Sequence, residues 1–316
     1  MYLDDFVEII GGKICGAPRI SHINATTSQI DNLLKGDAFI LRNHADLSEA
    51  INRGAYAIVS DCFCDISDDE VALVLVDSLE VALNRFVKYM QLTNGIEILR
   101  FETSAFAIAK ALSRDKNIAF AKNIFEVVEA IHCRIIVVDF ESLFFEVKTL
   151  KNTSNFLFMI LYQTLFELKI EFENNIYELI LPNFLIKDLN NILHFFKQKH
   201  IEFKIAFDEN LFLPLFINTS ARAVKYGQSM RFILATNDKK MLKRYMDFVL
   251  NAKWGHTLLL SKKELNLSQN IECKIYKNNN DLLEYFMLEK YHFFIVYGIE
   301  KDEIILKDEC VEQSLF

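Results

Sequence analysis

Hydrophobic spacing along this chain switches between the period of a helix and the period of a strand, and each switch marks an element. "DDFVEIIGG" (4–12) reads as a short amphipathic helix stopped by Gly11 and Gly12. Gly36-Asp37 turns the chain into a strand from Ala38 to Leu41. Asp46-x-x-Glu49 has capping-box spacing and opens a helix that Gly54 ends, while "AYAIVS" (55–60) and "VALVLV" (71–76) are strands. Asp77-x-x-Glu80 opens the next helix, with Leu79, Ala82, Leu83, Phe86, Val87 and Met90 at helical spacing. The pattern then predicts strand "GIEILRF" (95–101), a helix over 104–113, strand "NIAF" (117–120), a helix around 122–131 and strand "RIIVVDF" (134–140). The most apolar stretch, "NFLFMILYQTLFELKIEF" (155–172), reads as a buried helix running into a strand. Strand "YELILP" (177–182), a helix over 186–198 and strand "IEFKIAF" (201–207) follow. The last part predicts strands "RFILAT" (231–236), "HTLLLS" (256–261), "IECKIY" (271–276) and "YHFFIVYG" (291–298), with helices from near Asn237 and over 281–290. Strands alternating with helices imply an α/β fold with mainly parallel sheets.

Glycine spacing divides this pattern. There are nine glycines, and none lies between Gly95 and Gly227. Both fall where the pattern changes, which places domain boundaries near 92 and 227: one domain over 1–92, a central one over 93–227 and a small C-terminal one over 228–316. A chain of 316 residues with 52% hydrophobic residues has length and core for two or three domains. Its net charge of -8 argues against a general nucleic-acid or anionic-membrane binder. The unbroken apolar run within 155–172 is shorter than the roughly 20 residues of a membrane span. Six scattered cysteines (15, 62, 64, 133, 273 and 310) and an acidic N-terminus, where a signal peptide needs basic residues, point to reduced thiols in the cytoplasm. Cys62-x-Cys64 has no second pair to complete a zinc site, and no metal site is expected.

The run from Phe6 to Asp61 carries a specific pattern. "KGDAFIL" (35–41) and "AINRGAYAIV" (50–59) resemble segments of the N-terminal domain of Mur ligases, nearest to the type that adds D-alanyl-D-alanine to UDP-N-acetylmuramoyl-tripeptide. "LVDSLEVALNRF" (75–86) is similar to the family's segment leading to its ATP-binding domain. The resemblance covers about the first 90 residues. It implies a three-domain Mur-ligase-like arrangement, with a reduced central sheet and a small C-terminal α/β domain. It also implies that the first domain faces the uridine diphosphate end of a substrate. The family's "DSR" positions fall on Thr27, Ser28 and Gln29, so Ser28 alone is kept; the loop near the nucleotide falls on Arg42, Asn43 and His44. Thr27, Ser28, Arg42, Asn43 and His44 are therefore the candidate UDP-type contacts. Loss of the acid and the arginine removes the stronger charge-assisted contacts.

Mur ligases phosphorylate a carboxylate with ATP, so the resemblance calls for a glycine-rich, lysine-bearing loop after the first central strand. The sequence has "FETSAF" (101–106) there, with Glu102, Thr103 and Ser104 at the loop position and no glycine. Lys110 lies about two turns into the helix. A helix N-terminus attracts an anion weakly without a backbone cradle, and Glu102 repels one. No catalytic residue is assigned and no cofactor is expected. Asp139-Phe140-Glu141 and Asp68-Asp69-Glu70 read as solvated acids at turns, and 217–229, with Arg222 and Lys225, as a connector. The expected function is a non-catalytic Mur-ligase-like protein of peptidoglycan precursor metabolism, binding a UDP-N-acetylmuramoyl peptide or a cell-wall synthesis protein. Two alternatives stand beside it: an active ligase or transferase with an atypical site, using ATP and Mg²⁺, and an interaction scaffold whose nucleotide pocket is filled by side chains.

Overall fold

The computed structural model describes residues 1–16, 18–66, 68–142, 144–150, 152–208, 210–265 and 271–307, so Cys310 lies outside the described residues. The chain forms two compact units: Met1–Leu157 with Asp188–Ala206, and Phe158–Lys187 with Phe207–Phe316.

The first unit opens with α1 (Leu3–Ile10), which buries Leu3, Phe6, Val7 and Ile10 and ends where Gly11 takes the left-handed conformation, φ 69°. Only glycine adopts that backbone without strain, so the double glycine of the sequence is a true helix stop. β1 (Lys13–Cys15), β2 (Thr26–Thr27), β3 (Ala38–Ile40), α2 (Leu47–Asn52), β4 (Ala57–Ser60) and β5 (Ala72–Leu75) follow. They form a sheet of order β1-β5-β4-β3-β2, parallel except for β1. α2 is entered through a 3₁₀ turn whose cap is Asn43, accepting from the Ala45 N–H at 3.2 Å; the predicted cap, Asp46, makes no side-chain cap bond. The next helix, α3 (Leu79–Asn94), is capped by Ser78 rather than Asp77 and ends at Gly95, φ 66°. In both cases a neighbouring oxygen reaches the orphan N–H from extended backbone, which a helical Asp46 cannot do.

β6 (Glu97–Arg100), α4 (Thr103–Leu112), β7 (Ile118–Ala121), α5 (Ile124–Glu129), β8 (Ile135–Val138) and β9 (Lys148–Thr149) build a wholly parallel sheet of order β7-β8-β6-β9. One apolar core joins the two sheets of this unit. It includes Phe6, Phe86 and Leu83 from α1 and α3, Val127 and Val128 from α5, and Ile136 and Val138 from β8.

The stretch 155–172 corrects the expected helix. It forms β10 (Met159–Gln163) and β11 (Glu167–Phe172), an antiparallel hairpin extended by β12 (Asn175–Ile180). Thr164 makes the turn: its hydroxyl accepts from the N–H groups of Phe166 (3.3 Å) and Glu167 (2.9 Å). That local bond competes with helical pairing, and the β-branched and aromatic residues around it suit a pleated surface. β11 then alternates, burying Leu168, Ile170 and Phe172. α6 (Ile186–Lys199) follows as predicted. The strand predicted over 201–207 is absent; Phe203 makes a single bridge to Ser113, and Lys204 N–H binds Leu112 O.

β13 (Leu215–Phe216), β14 (Phe232–Thr236), α7 (Lys239–Asn251), β15 (Thr257–Ser261), β16 (Glu272–Ile275), α8 (Asn279–Phe286) and β17 (Phe293–Tyr297) complete the second unit. Their sheet runs β13-β14-β17-β15-β16, parallel except for β13. α7 is capped by Asp238, one residue past the expected Asn237. No helix among the described residues is long and apolar enough to cross a membrane.

Candidate functional site

Three of the five candidate UDP-type contacts face one side of α5. Thr27, at the end of β2, is buried, and its hydroxyl donates to the Glu129 carboxylate at 2.9 and 3.0 Å. Ser28 donates to the same carboxylate twice, from its N–H at 2.5 Å and its hydroxyl at 3.0 Å. Asn32 Nδ2 adds a contact at 3.3 Å. One turn earlier on α5, Phe125 lies under the guanidinium of Arg42, 4.3 Å from Cζ to the ring centroid. Residues i and i+4 share a helix face, so a single face of α5 presents an aromatic ring to Arg42 and an anion to Thr27 and Ser28. Asn43 spends its side chain on capping, and His44 Nδ1 sits 3.6 Å from the buried Cys64 sulfur.

Nothing local in the sequence announced Glu129, whose partners lie about a hundred residues away. Its helix lies within the one predicted around 122–131, and the start carries a local signal. Asn123 accepts from Glu126 N–H at 3.0 Å while the Glu126 carboxylate reaches back to Lys122 N–H at 2.9 Å, a reciprocal cap written as Asn-x-x-Glu.

Glu102, Thr103 and Ser104 lie elsewhere, where β6 passes into α4. Glu102 is the N-cap and is exposed. Ser104 is buried and donates to the Asp188 carboxylate of α6 at 2.6 Å. Phe101, 1% exposed, packs edge-on against Phe195 with centroids 5.2 Å apart, and Phe106 packs edge-on against Phe120 at 5.6 Å. The head of α4 therefore has a carboxylate on its serine, a second acid at its cap and rings on either side. Lys110 is exposed further along the helix. These residues do not fit a triphosphate, which needs converging N–H donors and a cation.

Burial raises the pKa of Asp139, with Glu126 adding and Lys122 opposing. Glu141 pairs with Arg100. Among the described residues no group of three or more histidine, cysteine or acidic side chains is placed to hold a metal. Within 217–229, Asn218 accepts from the N–H groups of Ser220 (2.9 Å) and Arg222 (3.1 Å), a local turn.

No protein-family profile matches the sequence, and no curated protein does. Solved structures do match in shape. A crystal structure of MurF from Acinetobacter baumannii superposes with a TM-score of 0.51 at 8% identity, covering 95% of this chain and 96% of that one. The fold is that of the Mur ligases. MurF ligase from Thermotoga maritima, in complex with ADP, matches at a TM-score of 0.47 and 10% identity, over 88% of this chain and 94% of that one. The likeness to the Acinetobacter enzyme is one of shape, at 8% identity. The candidate positions taken from the resemblance rest on the contacts described above.

Proposed function

We propose that this protein is a non-catalytic member of the Mur ligase fold that serves peptidoglycan precursor metabolism by binding a protein partner. One observation carries the reading: the chain's own carboxylates stand on three of the candidate anion contacts, Glu129 on Thr27 and Ser28 and Asp188 on Ser104. A phosphate arriving at either place would have to displace an acid that is already hydrogen-bonded. The absence of glycine between positions 95 and 227 leaves no glycine-rich loop elsewhere in that segment. Between a UDP-linked precursor and a protein as ligand, the filled contacts favour the protein.

Isothermal titration with a UDP-N-acetylmuramoyl peptide tests this directly. No heat is expected at millimolar ligand. Saturable binding that weakens on Ser28→Ala would restore the precursor-binding reading. Phosphate release from ATP with a dipeptide acceptor, abolished by changing Thr103 and Ser104 together, would restore the enzyme.

A further inference from the structure

An unassigned surface lies wholly within the second unit. β10 is the outer strand of the sheet β10-β11-β12, and all five of its residues are exposed. Four are large and apolar: Met159 is 63% exposed, Ile160 38%, Leu161 43% and Tyr162 54%. Proteins ordinarily guard such an edge with lysine, proline or a covering element, because its backbone groups invite another extended chain. A bulge between Ile160 and Tyr162 is the only such device within the strand.

The strand leads into a cavity. Gln163 is followed by Thr164, which lines a cavity of about 530 Å³ together with Phe166, Tyr226, Phe232, Met230 and Trp254. Among the described residues, Glu167 is the one charged side chain on its wall. Tyr226 donates its hydroxyl to Glu167 at 3.1 Å, and burial followed by Glu167 pushes the phenol up to about 12, so it remains a donor. Glu171 and Glu178 lie on the same sheet face as Glu167, with Lys169 paired to Glu178 at 2.7 Å. The face is therefore apolar at its edge, acidic across its middle and aromatic at one end.

We propose that β10 and this cavity form one peptide groove, in which an extended basic segment of a partner protein pairs alongside β10 and inserts an arginine. The arginine stem would lie on the rings and its guanidinium would meet Glu167, within reach of Trp254. Backbone pairing supplies affinity and the cavity supplies specificity, as in other strand-addition complexes. The inference deepens the reading above by giving the partner its chemistry: basic, extended and β-forming.

Trp254 is the only tryptophan of the chain and is 52% exposed at the cavity, so its emission reports on this place alone. The full chain would be titrated with a capped, tryptophan-free peptide of alternating threonine and valine with a central arginine. A saturable blue shift is expected. A peptide with central glutamate, and the Glu167→Gln protein, should each bind about tenfold more weakly. An arginine peptide with alternate backbone nitrogens methylated should not bind. Far-UV circular dichroism checks that Glu167→Gln folds. No shift at millimolar arginine peptide, or equal binding by all three peptides, overturns the groove. Emission that shifts with protein concentration alone assigns the edge to a second copy and also overturns it. Either result leaves the non-catalytic reading intact, whereas precursor binding at Ser28 would sink the choice of a protein over a precursor as ligand and leave the groove standing.

Discussion

Around a single side chain, the number of groups that depend on it sets the cost of its loss. Glu129 accepts from Thr27, Ser28 and Asn32. Glu129→Ala leaves the buried Thr27 hydroxyl and the Ser28 N–H without that acceptor, at about 1–3 kcal/mol. The urea midpoint should fall accordingly, and inorganic phosphate should restore part of the loss in the variant while leaving the parent unmoved. An equal response in both proteins would show that the carboxylate does not stand in an anion's place. Arg231, which the sequence did not single out, is the counterpart in the second unit. It is buried and donates to the carbonyls of Tyr291 (3.0 Å), Asn218 (3.2 Å), Phe286 (2.7 Å) and Leu288 (3.0 Å). Two of these close the C-terminal end of α8, where a cation also meets the helix dipole. Lysine cannot reproduce the planar fork, so Arg231→Lys should cost about 3 kcal/mol by denaturant titration. His292 gives a pH signature. Burial, then His256 and Arg231, lowers its pKa, and its Nδ1 accepts from His256 N–H at 3.3 Å. The unfolded chain therefore binds the proton first. The His292 contribution is complete above the unfolded value of about 6.5 and is lost as pH falls toward the folded one. Melting at pH 7.5 and 5.5 should show a decrease that His292→Gln reduces.

Elements carry these residues into place, and the elements were legible to different degrees. α1, α3, β4, β5, β14 and β17 followed from spacing because each buries a regular face and ends in a residue with one clear backbone role, such as Gly11 or Gly95. The run 155–172 was misread because apolarity without period cannot separate a helix from a hairpin, and the deciding group was one threonine hydroxyl at position 164. β1, β2, β9 and β13 are two or three residues long and exist through pairing, which no local pattern encodes. The contacts of the candidate site are of that second kind. Ser28 and Ser104 were picked out, but the acids that hold them come from α5 and α6. α5 is therefore an element whose docking can be tested through its cap. Asn123→Ala removes the oxygen that accepts from Glu126 N–H and should cost about 1 kcal/mol. Backbone hydrogen exchange should quicken at Ser28 as well as within α5, because Glu129 rides on that helix. Faster exchange in α5 alone would mean that Ser28 N–H is protected by something other than Glu129.

At the scale of the whole chain, the fold is that of the Mur ligases, and the proposed loss of their chemistry is a separate matter. Fold and activity separate readily, because sheet order and core packing depend on apolar faces, whereas phosphate capture depends on a few glycines, cations and free N–H groups. Here the sheet β7-β8-β6-β9 is wholly parallel, and at the head of α4 Ser104 donates to Asp188 while Glu102 is the N-cap. Linkage turns this into a measurement on the intact chain. A ligand that binds only the folded form stabilises it by RT ln(1 + [L]/Kd), about 2.7 kcal/mol at a hundred times Kd, which moves a melting midpoint by several degrees in a chain of this size. Millimolar Mg²⁺–ATP would saturate an ordinary ligase site, so such a site would be visible. The midpoint is expected to stay where it is with Mg²⁺–ATP, with Mg²⁺–ADP and with Mg²⁺ alone. Asp188→Asn separates the two possible reasons. If electrostatic exclusion by the carboxylate is what bars the triphosphate, the variant gains a nucleotide-dependent shift. If the missing backbone cradle is decisive, it gains none, and the second outcome is expected, because neutralising one acid supplies neither glycine nor lysine. A shift in the unsubstituted protein would mean that a triphosphate can be held at a helix head with no cradle at all, and the non-catalytic reading would fall with it.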